Sequence, residues 1–111
     1  MPYSEELAER IRQLLADERG VTEKKMFGGL AFLVGGNMAV AASHDGGILV
    51  RVDPDESDAL VSSTPATPME MRGRSMAGWL RVDAESVSTR RELAKWVTRG
   101  AAYARSLPAK R

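Results

Sequence analysis

The chain has 111 residues and a mass of 12.1 kDa, with no cysteine, one histidine, and sixteen Lys and Arg against fifteen Asp and Glu for a formal net charge of +1. The lack of cysteine excludes disulfides, thiolate catalysis and every cysteine-based zinc site, and it fits a reducing compartment, so the expected location is cytoplasmic. The balanced charge excludes a global field that would draw the protein onto DNA or an anionic membrane, so any anion binding must come from a local cluster.

A chain of this length is expected to form one domain over residues 1–111. Surface scaling gives roughly 6,000 Å² exposed when folded against roughly 17,500 Å² unfolded, enough burial for a core without staples. Residues 1–10 are charged and lack the apolar run of a signal peptide, and no stretch is long enough to span a bilayer. Charge is uneven all the same: residues 90–111 are mostly basic and residues 53–58 acidic, as solvated helix faces often are.

In chain order, Ser4 with Glu5 and Glu6 reads as a helix N-cap with acids in the first turn. Leu7, Ile11, Leu14 and Leu15 recur at helical spacing, and Gly20 follows as a stop, which predicts a helix over about 4–19. Residues 21–25 lead into Met26-Phe27-Gly28-Gly29, where two adjacent glycines mark a bend or bulge. Leu30–Val34 and Asn37–Ala42 are strand-length runs joined by Gly35-Gly36, the signature of a hairpin. His44-Asp45-Gly46-Gly47 is a second tight turn, after which Ile48, Val50 and Val52 alternate with Leu49 and Arg51. Three antiparallel strands in a meander follow.

Asp53-Pro54 ends the third strand and starts a short helix to about Ser62, with Asp53 as its cap. Residues 62–68, rich in Ser, Thr and Pro, form an exposed crossing loop that cannot serve as a central strand. Met69–Met71, the Arg72-Gly73-Arg74 turn and Gly78–Val82 suggest a second hairpin. After Ser88, Leu93, Trp96, Val97, Gly100, Ala101, Ala104 and Leu107 fall on one side of the longest helix, which Pro108 stops before the basic tail Ala109-Lys110-Arg111. The predicted order is α-β-β-β-α-β-β-α: an α+β domain with an antiparallel sheet packed by helices.

Few residues are available for chemistry. His44 beside Asp45 would need Ser43 or Ser75 brought to it in space to make a nucleophilic triad, and a turn histidine is ordinarily a surface residue. Asp53, Asp55, Glu56 and Asp58 lie close together but lack the glycine and terminal glutamate of a calcium loop, and first-turn helix acids explain them. None of the glycine pairs continues into a phosphate-loop or dinucleotide fingerprint. Thus no catalytic, cofactor-binding or metal-binding residue is assigned. Lys24-Lys25 before the glycine bend and Arg72-Gly73-Arg74 are basic loops that could offer donors to an anion, or simply be solvated. Phe32 and Trp96 sit in core-like patterns, whereas Phe27 and Trp79 stand near the basic loops, where burial competes with a stacking role. Met26, Met38, Met69, Met71 and Met76 cluster in the strand region, as adaptable contact surfaces and irregular cores both do. A sheet with one helix layer often leaves a face uncovered, which makes a homodimer one expectation.

Taken as an ordered set, Lys24-Lys25-Met26-Phe27-Gly28-Gly29, Asn37-Met38-Ala39, Leu49-Val50-Arg51-Val52, Pro68-Met69, Met76-x-Gly78-Trp79, Leu93-x-x-Trp96-Val97 and Ala104-Arg105-Ser106-Leu107-Pro108 resemble the N-terminal domain of the TfoX/Sxy family over nearly the whole chain. The resemblance implies a bacterial cytoplasmic domain of secretion-chaperone-like topology. It also implies a regulatory setting, since named members regulate natural competence with this domain joined to one similar to helix-hairpin-helix modules. The 111 residues have no room for that second domain, and a stand-alone module of this type is the expectation. No catalytic residues are established for the family, so none carries over.

The expected function is a non-enzymatic interaction or regulatory module that meets a protein partner or a second copy through its sheet and Met-rich loops. The alternative is a weak anion or nucleic-acid binder. The candidate residues for either are Lys24, Lys25, Phe27, Gly28, Gly29, Arg51, Arg72, Arg74 and Trp79. An enzyme built on His44 is the third reading, and no cofactor or membrane contact is expected.

Overall fold

A computed structural model describes residues 3–26 and 28–109. Helix α1 covers Glu5–Leu14, and Ser4 Oγ accepts the Leu7 N–H at 3.1 Å, the cap its sequence announces. It is shorter than the periodicity predicts. The Leu15 N–H reaches both the Ile11 and Arg12 carbonyls (3.0 and 3.2 Å) and the Ala16 N–H takes Gln13, so the last turn tightens and the helix ends before Arg19. Gly20, at φ +70°, then turns the chain into strand β1, Val21–Met26.

Strand β1 adds an element that alternation did not reveal, because Thr22–Lys25 are exposed on a sheet edge and carry no apolar stripe. The strands β2 (Gly29–Val34), β3 (Asn37–Ala42) and β4 (Ile48–Arg51) continue the meander. Gly35-Gly36, both at positive φ, close the β2–β3 hairpin with Val34 opposite Asn37. Asp53 then caps a 3-10 turn, Pro54–Glu56, with Oδ1 accepting the Asp55 N–H at 2.9 Å, and α2 follows over Ser57–Ser63.

The last two strands are β5 (Thr67–Met71) and β6 (Arg74–Val82), joined at Arg72-Gly73. The six strands lie in the order β1-β2-β3-β4-β6-β5, every neighbouring pair antiparallel. Pro68 therefore belongs to an edge strand, where its missing donor costs no ladder bond. Strand β6 is longer than the sequence suggests because residues 77–79 bulge out between the pairs Leu80–Pro68 and Met76–Met69. Buried Ser57 anchors that bulge: its Oγ accepts the Gly78 N–H at 2.6 Å, while the Gly78 carbonyl accepts Val52 N–H at 2.8 Å.

Helix α3, Arg90–Ser106, begins at Thr89 rather than Ser88, with a reciprocal capping box to Glu92. Leu93, Trp96, Val97, Ala101 and Ala104 pack with Leu7, Ala8 and Ile11 of α1 and Leu60 of α2 against Phe32, Val40, Ile48, Val50, Leu80 and Val82. Every one of those strand residues faces the same side, so the helices form a single layer on one face of the sheet. The result is a small α+β domain. Where α3 crosses β3, a Cβ at Gly100 would stand 2.4 Å from the Ala39 carbonyl oxygen. Alanine in a helix interior normally stabilises by about 1 kcal/mol over glycine. Here Gly100→Ala is expected to destabilise instead, by roughly 2 kcal/mol, because backbone would have to move. Urea denaturation reads the sign, and a stabilised Gly100→Ala protein would contradict this seating of α3.

Candidate interaction face

The other face of the sheet carries a second apolar cluster. Ala31, Met38, Ala41, Leu49 and Met69 are buried in it, and Met26, Leu33 and Trp79 pack around them half-buried. All of these are strand residues, and the buried apolar residues of the three helices belong to the first cluster. Period-two alternation explains most of the division. Met38 needs more, since it has the parity of Val40, which faces the helices. The β2–β3 register shifts between Phe32 and Leu33, which leaves Ala39 unpaired in a bulge. That extra residue turns Ala39 toward α3 and Met38 to the helix-free side, and Asn37 returns to the helix side, where its Nδ2 donates to the Pro108 carbonyl at 2.9 Å.

The same register sorts the charges. Lys24 is opposite Ala31 and Lys25 opposite Leu30, so the two adjacent lysines project to opposite faces, with Lys24 beside the helix-free cluster. Arg51 pairs with Trp79 and Arg81 with Leu49 on that face, and Arg74 shares it by lying two residues before Met76, the partner of Met69. The strand acids go the other way: Glu23 pairs with Phe32, and Glu70 follows Pro68, the partner of Leu80. On strand positions, then, the helix-free face carries Lys24, Arg51, Arg74 and Arg81 and no carboxylate.

Trp79 is half-buried there, with the Arg51 guanidinium carbon 5.2 Å from its ring centroid and 5.7 Å from that of Tyr103 on α3, a cation–π arrangement that holds Arg51 at the rim. Gly28 turns at φ +75°, and Gly29 runs so close to β3 that a Cβ would lie 2.0 Å from the Ala42 carbonyl oxygen, so both glycines have a backbone reason to be there. Arg72, at φ +55°, occupies the β5–β6 turn. Phe27 lies outside the described residues, as do Lys110, Arg111 and the side chain of Met71. The two basic loops do not converge: β1 and β5 are opposite edges, five strand spacings or about 24 Å apart. What the sheet brings to one face is Lys24, Arg51, Arg74 and Trp79, joined by Arg81, while Lys25 is excluded. Sequence reasoning missed Arg81 because its place depends on the long-range β4–β6 pairing.

The other candidate chemistry stays dispersed. Asp45 Oδ1 accepts the Gly47 N–H at 3.1 Å and its Oδ2 accepts from Arg81 Nη2 at 3.0 Å, which turns the carboxylate to its own loop and to β6. His44 is exposed over Gly28. Ser75 pairs with Glu70 near the β5–β6 turn, about four ladder positions or roughly 13 Å from Val82, the neighbour of Gly47, so it is not brought to His44. Glu56 pairs with Arg99 at 3.0 Å across an open cleft of about 430 Å³ that is also lined by Asp53, Lys95, Thr98 and Tyr103. Among the described residues, no group of His, Asp and Glu is placed to hold a metal ion, and no helix is long and apolar enough to cross a membrane.

Residues 13–104 match the sequence model of the TfoX N-terminal domain. The chain belongs to the TfoX N-terminal domain family. The matched span runs from the end of α1 to Ala104 in the last turn of α3 and so contains the whole sheet and both of its faces. The TfoX N-terminal domain is a regulatory, non-catalytic family, resembling competence regulators at the level of the domain. No curated protein matches the chain.

In this TfoX N-terminal domain, the Gly47 N–H, then the Ser43 hydroxyl and Arg81, hold the Asp45 carboxyl below the usual carboxylate range, against a smaller opposing effect of burial. A depressed folded-state value stabilises above the unfolded value of about 3.9 and is lost as pH falls through the folded one. Asp45 and Arg81 are about half exposed, so Asp45→Asn is expected to cost less than about 1 kcal/mol at neutral pH. That gap should shrink as pH falls below the unfolded value of about 3.9 and through the lower folded one. Melting temperatures of both proteins across pH measure it, and a gap independent of pH would contradict the assignment.

Proposed function

We propose that the domain is a non-enzymatic regulatory interaction module and that its helix-free sheet face is where it meets a partner. The observation that carries this reading is the asymmetry of the sheet. One face is sealed by α1, α2 and α3, and the other presents half-exposed Met26, Leu33 and Trp79 over a buried apolar floor, inside a rim of basic residues. An apolar centre within a polar rim is the usual anatomy of a protein contact, and methionine adapts to more than one shape of partner.

The uniform basic charge of the same strand positions supports a second reading, anion or nucleic-acid binding through Lys24, Arg51, Arg74 and Arg81, which salt would weaken.

Photo-crosslinking in bacterial cells tests the first reading. A photoreactive residue at exposed Thr22 or Thr67, which share the parity of Lys24 and Met69, should yield protein adducts, whereas one at exposed Thr98 on α3 should not. Adducts of twice the chain mass would identify a second copy as the partner. Adducts from position 98 with none from 22 or 67 would move the contact surface to the helices and end this proposal.

A further inference from the structure

We infer that the edge strand β1 pairs with β1 of a second copy of this chain, antiparallel about a two-fold axis at Lys24, so that two sheets continue as one. This goes beyond the reading of the helix-free face: it concerns the rim of the sheet and does not depend on what meets the face.

The first argument is the free backbone. The Gly35 N–H donates to the Gly20 carbonyl at 3.1 Å, and from there β1 pairs with β2 residue for residue, Val21 with Val34 through Met26 with Gly29, without a bulge. Backbone groups along a strand point alternately to one neighbour and to the other. Gly20, Thr22, Lys24 and Met26 therefore turn theirs to β2, while Val21, Glu23 and Lys25 turn theirs away from the sheet. Residues 22–25 are exposed, and among the described residues no turn, cap or side-chain bond takes up those outward groups. The opposite edge is blunted, since Pro68 of β5 has no N–H to give. On β1 nothing interrupts the row, and such a row is a template for another strand.

The second argument is which strand fits. Laid antiparallel about Lys24, a second β1 brings Glu23 of each copy opposite Lys25 of the other, at the positions that exchange backbone bonds. The symmetry makes both ion pairs at once. Glu23 is held at this rim by Arg12 of α1, at 2.6 and 2.8 Å, and its carboxylate has lone pairs for a second cation. Thr22 of each copy then faces Met26 of the other. Sliding one strand by two residues sets Glu23 against Glu23 or Lys25 against Lys25, so the same charges reject the neighbouring registers. Lys24 meets its own copy at the axis, a like-charged pair on long exposed side chains that can diverge into water. Edge lysines ordinarily keep strands apart. A foreign strand would need an acid and a base at this spacing to gain entry, and a second β1 carries both. Because the axis stands perpendicular to the sheet, both helix layers lie on one side and the two helix-free faces join on the other.

The chain has no cysteine, so a single introduced thiol reports on this geometry. Residues that face each other across an antiparallel pair without mutual backbone bonds have Cβ atoms about 4.5–5.5 Å apart, near the span of a disulfide. Lys24→Cys, oxidised with copper phenanthroline, is expected to form a linked dimer roughly tenfold or more faster than Thr22→Cys on the same strand or Thr67→Cys on the other edge. Adding Lys25→Glu or Glu23→Lys to the Lys24→Cys chain should slow that reaction, because either change opposes like charges at both pairs. Mixing the two slowed chains should restore it, since each then meets opposite charge at both positions, and this rescue also shows that both variants are folded. Sedimentation of the native chain should show a dimer that the Lys25→Glu chain loses.

A native chain that stays monomeric at its highest soluble concentration, trapping at Lys24→Cys no faster than at Thr67→Cys, or mixing without rescue would overturn the pairing. Fastest trapping at Thr22→Cys would overturn it too, by showing another register. Adducts with other proteins from positions 22 and 67 are read separately, so the failure of this pairing would leave the reading of the face standing, and the reverse also holds.

Discussion

The architecture depends on how closely α3 lies against β3. At Gly100 the helix backbone approaches the Ala39 carbonyl so nearly that no side chain fits between, and Ala39 is available for that contact because a bulge turns it toward the helix. The bulge has an equal consequence on the far side. By absorbing one residue it sends Met38 to the helix-free face, so the feature that seats the longest helix also builds the second apolar cluster. A one-residue change of parity in β3 would undo both.

From that seating follows a division of labour between the two sides of the sheet. The helix side holds the largest fully buried side chains, Phe32, Ile11, Ile48, Leu80 and Leu93, and most of the hydrophobic stabilisation must arise there. Its ion pairs, such as Arg12 with Glu23 from α1 to β1, lie largely in solvent and are individually worth little. The helix-free side has smaller buried groups, half-exposed Met26, Leu33 and Trp79, and cations without strand acids. Its half-exposed apolar groups are the ground on which we propose it as the surface that meets a partner.

Much of the fold was legible in the sequence where local rules govern. The α3 stripe from Leu93 to Ala104, the Gly35-Gly36 hairpin and the Asp53-Pro54 cap depend on neighbours within four residues, and they stand where the pattern put them. Strand β1 was not legible, because an exposed edge strand such as Thr22–Lys25 has no apolar period to announce it. The candidate surface was legible only in part. Lys24-Lys25 reads as one basic patch along the chain, but pairing with Leu30 and Ala31 separates the two residues. Arg81 joins Lys24 and Arg51 through the β4–β6 ladder, and Met38 joins the cluster through a bulge. Both are long-range or irregular features that alternation alone does not encode.

The most direct measurement of the two-faced sheet is methyl NMR with a soluble paramagnetic relaxation agent. The account requires Leu33 on β2 and Met26 on β1 to be strongly broadened, while Leu30 and Val34 on the helix side keep sharp signals. Equal protection of Leu33 and Leu30 would mean that something covers the second face, and the division on which the interaction surface rests would be wrong.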